Sequence, residues 1–379
     1  MGGDSFSFRN LTDLYRATPV TMLDPGARIV IFSDLHLGNG TRTDDFLPNS
    51  GLFLTVLDRH YQENRFKLIL NGDIEELQRF RLPDIMNRWS AVYDLFESFE
   101  RDHRLLRLVG NHDMDLITRG DHPFRIGEAL RFSHHDNSIF ILHGHQTTRR
   151  FERFNKLYGF GLRYFANPLK IRNYSVAHDS RKRFRTEERI YEFASAHKVL
   201  SIIGHTHRPL FESMSRVDSL KFEIERLCRK YPKVSVKKQH KIERKIEEYR
   251  SELERVDPDD FDSPSSLYNA NLVVPCLFNS GTVIGKRGMT CLEIADERIT
   301  LVHWFDETRS RKYLRYRNYE TAQLPGTDYH RMEVKSDTLD SVFARIKLLA
   351  GTRVPGPTGL AAGFPASYPA DDEKNRGAD

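Results

Sequence analysis

Cysteine is scarce in this chain. Its 379 residues include three, Cys228, Cys276 and Cys291, far apart and with no C-x-x-C pair. An odd, scattered set argues against a disulfide framework or a structural zinc site and points to a reducing compartment. Long apolar runs are missing too: nothing approaches the roughly 18 residues that a membrane-spanning helix needs. The opening Met1-Gly2-Gly3-Asp4-Ser5-Phe6 has no basic region followed by an apolar stretch, so a secretory leader is not expected. Phe6 stands where a myristoylation signal carries Ser or Thr. The expectation is a cytoplasmic protein, or one peripheral to a membrane. A strong charge imbalance is also absent. The net charge is +5, which permits an anionic substrate without demanding one. There is no internal repeat.

What is present is a set of brief apolar runs. Arg28–Phe32, Lys67–Leu70, Leu105–Val109, Ser138–Leu142 and Val199–Ile203 are each four to six residues long and read as buried strands. Between the first three lie amphipathic stretches, Phe53–His60 and Trp89–Phe99, that read as helices. Strand, helix, strand predicts a mostly parallel sheet covered by helices. Leu272–Leu277, Met289–Ile294 and Ile299–Phe305 read as strands closing a second sheet, with Glu297 and Arg298 near a turn. The expected organisation is a polar lead over 1–26, a main domain over 27–320, a helical segment over 321–351 and a disordered Pro/Gly/Ala/Asp tail over 352–379. Two insertions interrupt the main domain. Residues 147–196 are rich in Arg, Lys and aromatics and read as a basic helical cap. Residues 216–256 read as an antiparallel helical hairpin with charged outer faces. Its apolar seam is Val217, Leu220, Ile224, Leu227 and Tyr231, then Ile242, Ile246, Tyr249, Leu253 and Val256.

The chemistry sits where the strands stop. The first five runs are followed by Ser33-Asp34-Leu35-His36-Leu37-Gly38, Asn71-Gly72-Asp73-Ile74-Glu75-Glu76, Gly110-Asn111-His112-Asp113, His143-Gly144-His145 and Gly204-His205-Thr206-His207. In open α/β sheets ligands gather beyond the carboxyl ends of the strands, so five such ends at one rim would bring these groups together. Carboxylates mixed with imidazoles suit a pair of divalent ions. Such a pair supplies what phosphate-ester hydrolysis requires: a strong nucleophile and charge neutralisation on phosphoryl oxygens. The D-x-H spacing suggests that Asp34 and His36 share one side of a strand end with period two, as do His205 and His207. Asp113 reads as a loop-stabilising acceptor. His134 and His135 read as solvated or structural.

D-x-H, G-D-x-x-E, G-N-H-D, H-G-H and G-H-x-H, in this order over about Ile29 to His207, resemble the signature of the calcineurin-like metallophosphoesterases. Asn279-Ser280-Gly281-Thr282 resembles that family's closing motif. The resemblance implies a four-layer α/β/β/α sandwich and two divalent metal ions, manganese foremost, with iron, zinc and cobalt also suited. It implies that Asp34, His36 and His207 bind one ion and Asn111, His143 and His205 the other, with Asp73 bridging. His112 would be the general acid, and Glu76 matches the acid that can orient it. The implied activity is hydrolysis of a phosphoester or pyrophosphate bond.

The 147–196 insertion lies between the fourth and fifth clusters and interleaves Arg149, Arg150, Arg153 and Lys156 with Phe151, Phe154 and Tyr158. In position it resembles the cap of UDP-diacylglucosamine pyrophosphatases. The chain departs from them in having His112 where they commonly carry Arg, and in the length and charge of its second insertion. A basic cap suits a membrane surface or lipid, and nucleic acid less well. A nucleotide-lipid pyrophosphatase, a nuclease and a protein serine/threonine phosphatase are the rival enzymes. A scaffold that binds a partner or a second copy through 216–256 is the non-enzymatic rival.

Overall fold

The computed structural model describes residues 6–118, 122–147, 180–213, 224, 227–228, 231–234, 236–255, 274–311, 314 and 319–350. Among these, the strands are β1 (Val20–Met22), β2 (Ile29–Phe32), β3 (Lys67–Asn71), β4 (Leu105–Leu108), β5 (Ala129–His134), β6 (Asn137–Leu142), β7 (Leu200–Ile203), β8 (Leu277–Asn279), β9 (Met289–Ala295), β10 (Arg298–Asp306), β11 (Thr321–Gln323) and β12 (Tyr329–Thr338). They form a seven-stranded sheet, β11-β12-β10-β9-β2-β3-β4, and a five-stranded sheet, β1-β5-β6-β7-β8. The main helices are α1 (Phe6–Ala17), α2 (Ser50–Val56), α3 (Leu82–Arg88), α4 (Ser90–Arg101), α5 (Ser180–His197), α6 (Val236–Arg255) and α7 (Leu339–Leu349).

Strand alternation builds the layers. Ile29 and Ile31 of β2 point into the core between the sheets, where they join Ile69, Leu292 and Ile294. Val30 and Phe32 face the other way, toward Phe53 and Val56 of α2 and Val92 and Phe96 of α4. Every residue of β2 is buried, as expected of a strand covered on both faces. On the outer face of the five-stranded sheet, Phe140 of β6 meets Tyr15 of α1 at 5.3 Å and Phe193 of α5 at 5.8 Å between ring centroids. The result is an α/β/β/α sandwich.

β2, β3 and β4 pair in parallel, as do β6, β7 and β8. Their carboxyl ends therefore lie at common edges of the two sheets. The assignment of strands to sheets differs from the sequence expectation. Met289–Ala295 and Arg298–Asp306 join the first sheet, with β9 antiparallel to β2 and Ile29 opposite Ile294. β2 has β3 on one side only, and β9 covers its otherwise open edge. The second sheet is built from the fourth and fifth predicted strands and from β8, which begins at Leu277 where the predicted run Leu272–Leu277 ends and lies in the second sheet as expected, with β5 and β1 added. Over 321–351, expected to be helical, the chain first forms β11 and β12 and only then α7.

In the second insertion, α6 is one arm of the expected hairpin. Leu227, Ile242 and Tyr249 cluster with Ile224, Tyr231, Val234 and Ile246, apart from the two main cores. Much of the other arm, with Val217 and Leu220, lies outside the described residues. So do most of the basic cap, including Arg149 to Tyr158, and the tail over 352–379.

Candidate metal centre

The site begins with backbone that turns left-handed. Asp34, His36, Asp73, His205 and His207 all have positive φ, between 48° and 62°. Such residues cost on the order of 1–3 kcal/mol each and persist where the surroundings over-determine them. β2 ends at Phe32, so Asp34 and His36 are not alternating strand residues. The chain changes hand at each of them, and that brings both side chains to one point. The same correction applies to His205 and His207 beyond β7. A ladder between the loops after β2 and β3 holds this shape. Asp34 N–H donates to Gly72 O (3.1 Å), His36 N–H to Asp73 O (3.0 Å) and Leu37 N–H to Ile74 O (2.8 Å).

Two ligand groups contain the carboxylates Asp34 and Asp73, and a third, His36 with Glu76 and His112, adjoins the first through His36. Asp34, His36 and His207 form the first, with His207 Nε2 3.0 Å from Asp34 Oδ1 and 3.1 Å from His36 Nε2. Asp73, His143 and His205 form the second, with His143 Nε2 3.1 Å from Asp73 Oδ2. The carboxylates lie between the groups: His36 Nε2 is 4.0 Å from Asp73 Oδ2, and His143 Nε2 is 3.9 Å from Asp34 Oδ1.

Each carboxylate is anchored by one oxygen. Asp34 Oδ2 accepts from His205 N–H (3.0 Å), and Asp73 Oδ1 accepts from His112 N–H (2.7 Å). The imidazoles are oriented in the same way, by the nitrogen turned away from the centre. His143 Nδ1–H donates to Asn71 O (2.7 Å), a contact that joins the two sheets. His36 Nδ1–H donates to Glu76 Oε2 (3.0 Å), and His112 Nδ1–H to the same carboxylate (2.9 Å). Glu76 is buried, not a surface glutamate, and it ties a ligand candidate to the acid candidate. Gly110 is required by space, since a Cβ there would fall 2.1 Å from Asp73 Oδ1.

Electrostatics follow from the packing. Burial pushes the Asp73 carboxyl up, but His143 and His112 outweigh it and hold it well below its ordinary range. Burial works against protonation of His143, yet Asp73 and Asp34 raise it to about 10. Burial and the His143 charge push His205 down to about 3. His112 rises to about 9 because Asp73 and the Glu76 hydrogen bond overcome its burial.

Among the buried side-chain atoms that make no aligned hydrogen bond are Asp34 Oδ1, Asn111 Oδ1, His143 Nε2 and His205 Nε2. Asp34 Oδ1 and His143 Nε2 do face charged neighbours, His207 and Asp73, but an unmet buried group costs about 1–3 kcal/mol, and an ion among these atoms would meet them all. Oxygen and imidazole donors are the set that divalent transition ions accept. The residues fit a metal centre. Asp113 turns away from it and locks the loop, accepting from Gly110 N–H (2.6 Å) and Ile74 N–H (2.8 Å). His145 is buried behind the centre, with its ring 5.6 Å from that of His143, and belongs to neither ligand group.

Sequence reasoning missed Glu187. It lies on α5, inside the segment read as cap, and nothing in its neighbourhood marks it. It accepts from Thr206 Oγ1–H (2.8 Å) and pairs with Arg208, which steadies the His205–His207 turn. Asn279 Nδ2–H donates to Gly204 O (3.0 Å) and Thr206 Oγ1 (2.8 Å), and Thr282 Oγ1–H to Asp34 O (3.0 Å). The Asn279–Thr282 segment thus clamps both sheets at the rim.

The family model of the calcineurin-like phosphoesterases matches residues 27–235, more than half of the chain. The chain belongs to that family and is a metallophosphoesterase, a hydrolase of phosphoesters that uses divalent metal. Among solved structures, YfcE, a phosphoesterase from E. coli, aligns with 13% identity and a TM-score of 0.31, covering 72% of this chain and 91% of that one. No curated protein matches.

Proposed function

We propose that the protein hydrolyses a phosphoester or pyrophosphate bond at a dinuclear centre, manganese foremost. Asp34, His36 and His207 hold one ion, Asn111, His143 and His205 the other, and Asp73 lies between them. The observation that supports this most directly is the pair of ligand groups, Asp34 with His36 and His207 and Asp73 with His143 and His205, whose donor atoms in each group lie within 4.8 Å of one another. Two bound ions supply a hydroxide nucleophile at neutral pH and offset charge on the phosphoryl oxygens.

The side chains do the rest. His112 Nδ1–H is committed to Glu76, so its titrating proton sits on Nε2. The Glu76 hydrogen bond favours the protonated imidazole whether or not Asp73 is engaged by metal, which suits His112 to donate to a leaving oxygen. Glu76 keeps the ring in that orientation. The N–H groups of His205 and His112 hold Asp34 and Asp73 in place without any side-chain adjustment.

The test is hydrolysis of a chromogenic phosphate monoester and diester with Mn²⁺, for wild type and Asp73→Asn, with metal content measured on both. Turnover that needs manganese is expected, with a loss of roughly 10³-fold in Asp73→Asn. The ester preferred ranks the substrate classes. No turnover on either ester, together with no bound metal in the wild type, would overturn the proposal and direct attention to partners of the 216–256 hairpin.

A further inference from the structure

At the end of the sandwich away from the catalytic rim lies a second group of metal-competent side chains. β5 runs antiparallel to β6, so His134, its last residue, sits at the end of the sheet opposite to His143. His135 follows in the tight connection to Asn137, with φ 51°. Asp340 lies in the first turn of α7. Ligand atoms of His134, His135 and Asp340 all fall within 4.8 Å of one another.

His134 makes this more than a chance meeting of surface residues. Its side chain is only 4% exposed, contrary to the solvated alternative in the sequence reading. Its ring stacks on Phe343 (6.1 Å between centroids, 20° between planes), so it cannot swing out to water without abandoning that contact. Its Nε2 finds no hydrogen-bond partner among the described residues. The nearest carboxylate oxygen, Asp340 Oδ1, is 3.6 Å away, beyond a hydrogen bond. A buried imidazole nitrogen left unmet is destabilising, and here it lies beside a second imidazole and a carboxylate.

We infer that His134, His135 and Asp340 form a second metal site, for a zinc-like transition ion, that fastens the β5–β6 turn to the start of α7. Two imidazoles and one carboxylate suit zinc, copper or nickel and poorly suit magnesium or calcium. In a tetrahedral site with bonds of about 2.0–2.1 Å the donors stand roughly 3.3 Å apart; His134 and Asp340, at 3.6 Å, are close to that, and any wider pair in the group must draw together. The exposed pair can do this: Asp340 is 75% exposed and His135 lies at the surface, while His134 is the fixed point. The positive end of the α7 dipole opposes a cation weakly. Asp24 and Glu297, which line the small recess beside His134, act in the opposite sense. β5 belongs to one sheet, and α7 follows β12 of the other. The ion would therefore cross-link the two sheets far from the chemistry, as a brace.

The catalytic ligands would also take zinc, so the test is made in a full-length chain in which Asp73, His143 and His205 are replaced by Asn, Gln and Gln and Asp34, His36 and His207 by Asn, Gln and Gln. ZnCl₂ is the probe, and the readouts are bound zinc per chain and melting temperature. One zinc ion per chain is expected, with a zinc-dependent rise in melting temperature. Both should vanish when His135→Asn or Asp340→Asn is added. These two residues are exposed, so the melting temperature in chelator should stay that of the parent. If the multiple variant does not fold, the same two substitutions in the wild-type chain should each lower total bound zinc by one ion per chain. Equal zinc content and equal zinc-dependent melting shifts with and without His135→Asn and Asp340→Asn would overturn the site.

Discussion

Glu75 and Glu76 are neighbours in the chain, both buried, and they belong to different worlds. Glu75 accepts from Tyr93 O–H (2.5 Å) and pairs with Arg107, whose guanidinium also donates to His122 Nε2 (3.1 Å) and lies 3.8 Å from Asp113. In this cluster almost every polar atom is met, Arg107 Nε being the exception. Glu76 joins His36 and His112, whose other nitrogens face a centre where several atoms have no aligned partner. Burial pushes both carboxyls up, and their partners bring both down to about 2. Charge state therefore does not tell them apart. What separates them is what their partners face: the Glu75 cluster is closed upon itself and holds the fold, while Glu76 orients two imidazoles toward the metal-competent centre.

The contrast can be broken from either side. The largest effect is expected at His112→Asn, which should lower kcat by roughly 10²–10⁴-fold while bound metal stays at the wild-type level. The loss should shrink for esters with a good leaving group such as nitrophenol, because less proton donation is needed. A parallel loss of metal would show that His112 is a ligand instead. On the closed side, Glu75→Ala should cost about 3–5 kcal/mol of stability, since it leaves the Arg107 charge buried without its partner. Urea denaturation measures this, and an unchanged midpoint would contradict the division drawn here. Glu76→Gln should be milder, with metal affinity or activity falling roughly 10–100-fold through loosened imidazoles and little change in the urea midpoint.

A further effect concerns pH. His143 and His112 have folded pKa values of about 10 and about 9, above the roughly 6.5 of an unfolded histidine. Their contribution to stability is thus complete below about pH 6.5 and is lost as pH rises through 9 to 10. Chelator-treated protein should show a melting temperature that falls over this window. Adding Mn²⁺ should flatten the slope and release about one proton, because the ion takes the place of the proton on His143 Nε2. A slope unaffected by metal would place the ion elsewhere.

Much of the rim was legible because apolar strands and the polar clusters after them alternate plainly in the sequence. Ile29–Phe32 followed by Asp34 and His36 needs no tertiary information to be noticed. The sheet partners were not legible. β5 reads Ala-Leu-Arg-Phe-Ser-His and β12 mixes charges throughout, as strands that are only partly buried do, so neither shows an apolar run. The left-handed turns at Asp34 and His36 were hidden for another reason: Asp and His tolerate that region, and no glycine advertises it. The buried states of Glu76, Glu187 and His134 arise from segments far away in the chain, which a local reading does not reach.

The pairing of Ile29 with Ile294 has a consequence for synthesis. Every proposed ligand, from Asp34 to His207, leaves the ribosome before the strand that flanks β2, and before Thr282, which holds the Asp34 carbonyl. At about 5–20 residues per second the nascent chain carries loose imidazoles and carboxylates for several seconds before a rim exists to order them. Any ion met in that interval would find an unfinished rim, without the strand and the hydroxyl that later fix the Asp34 loop.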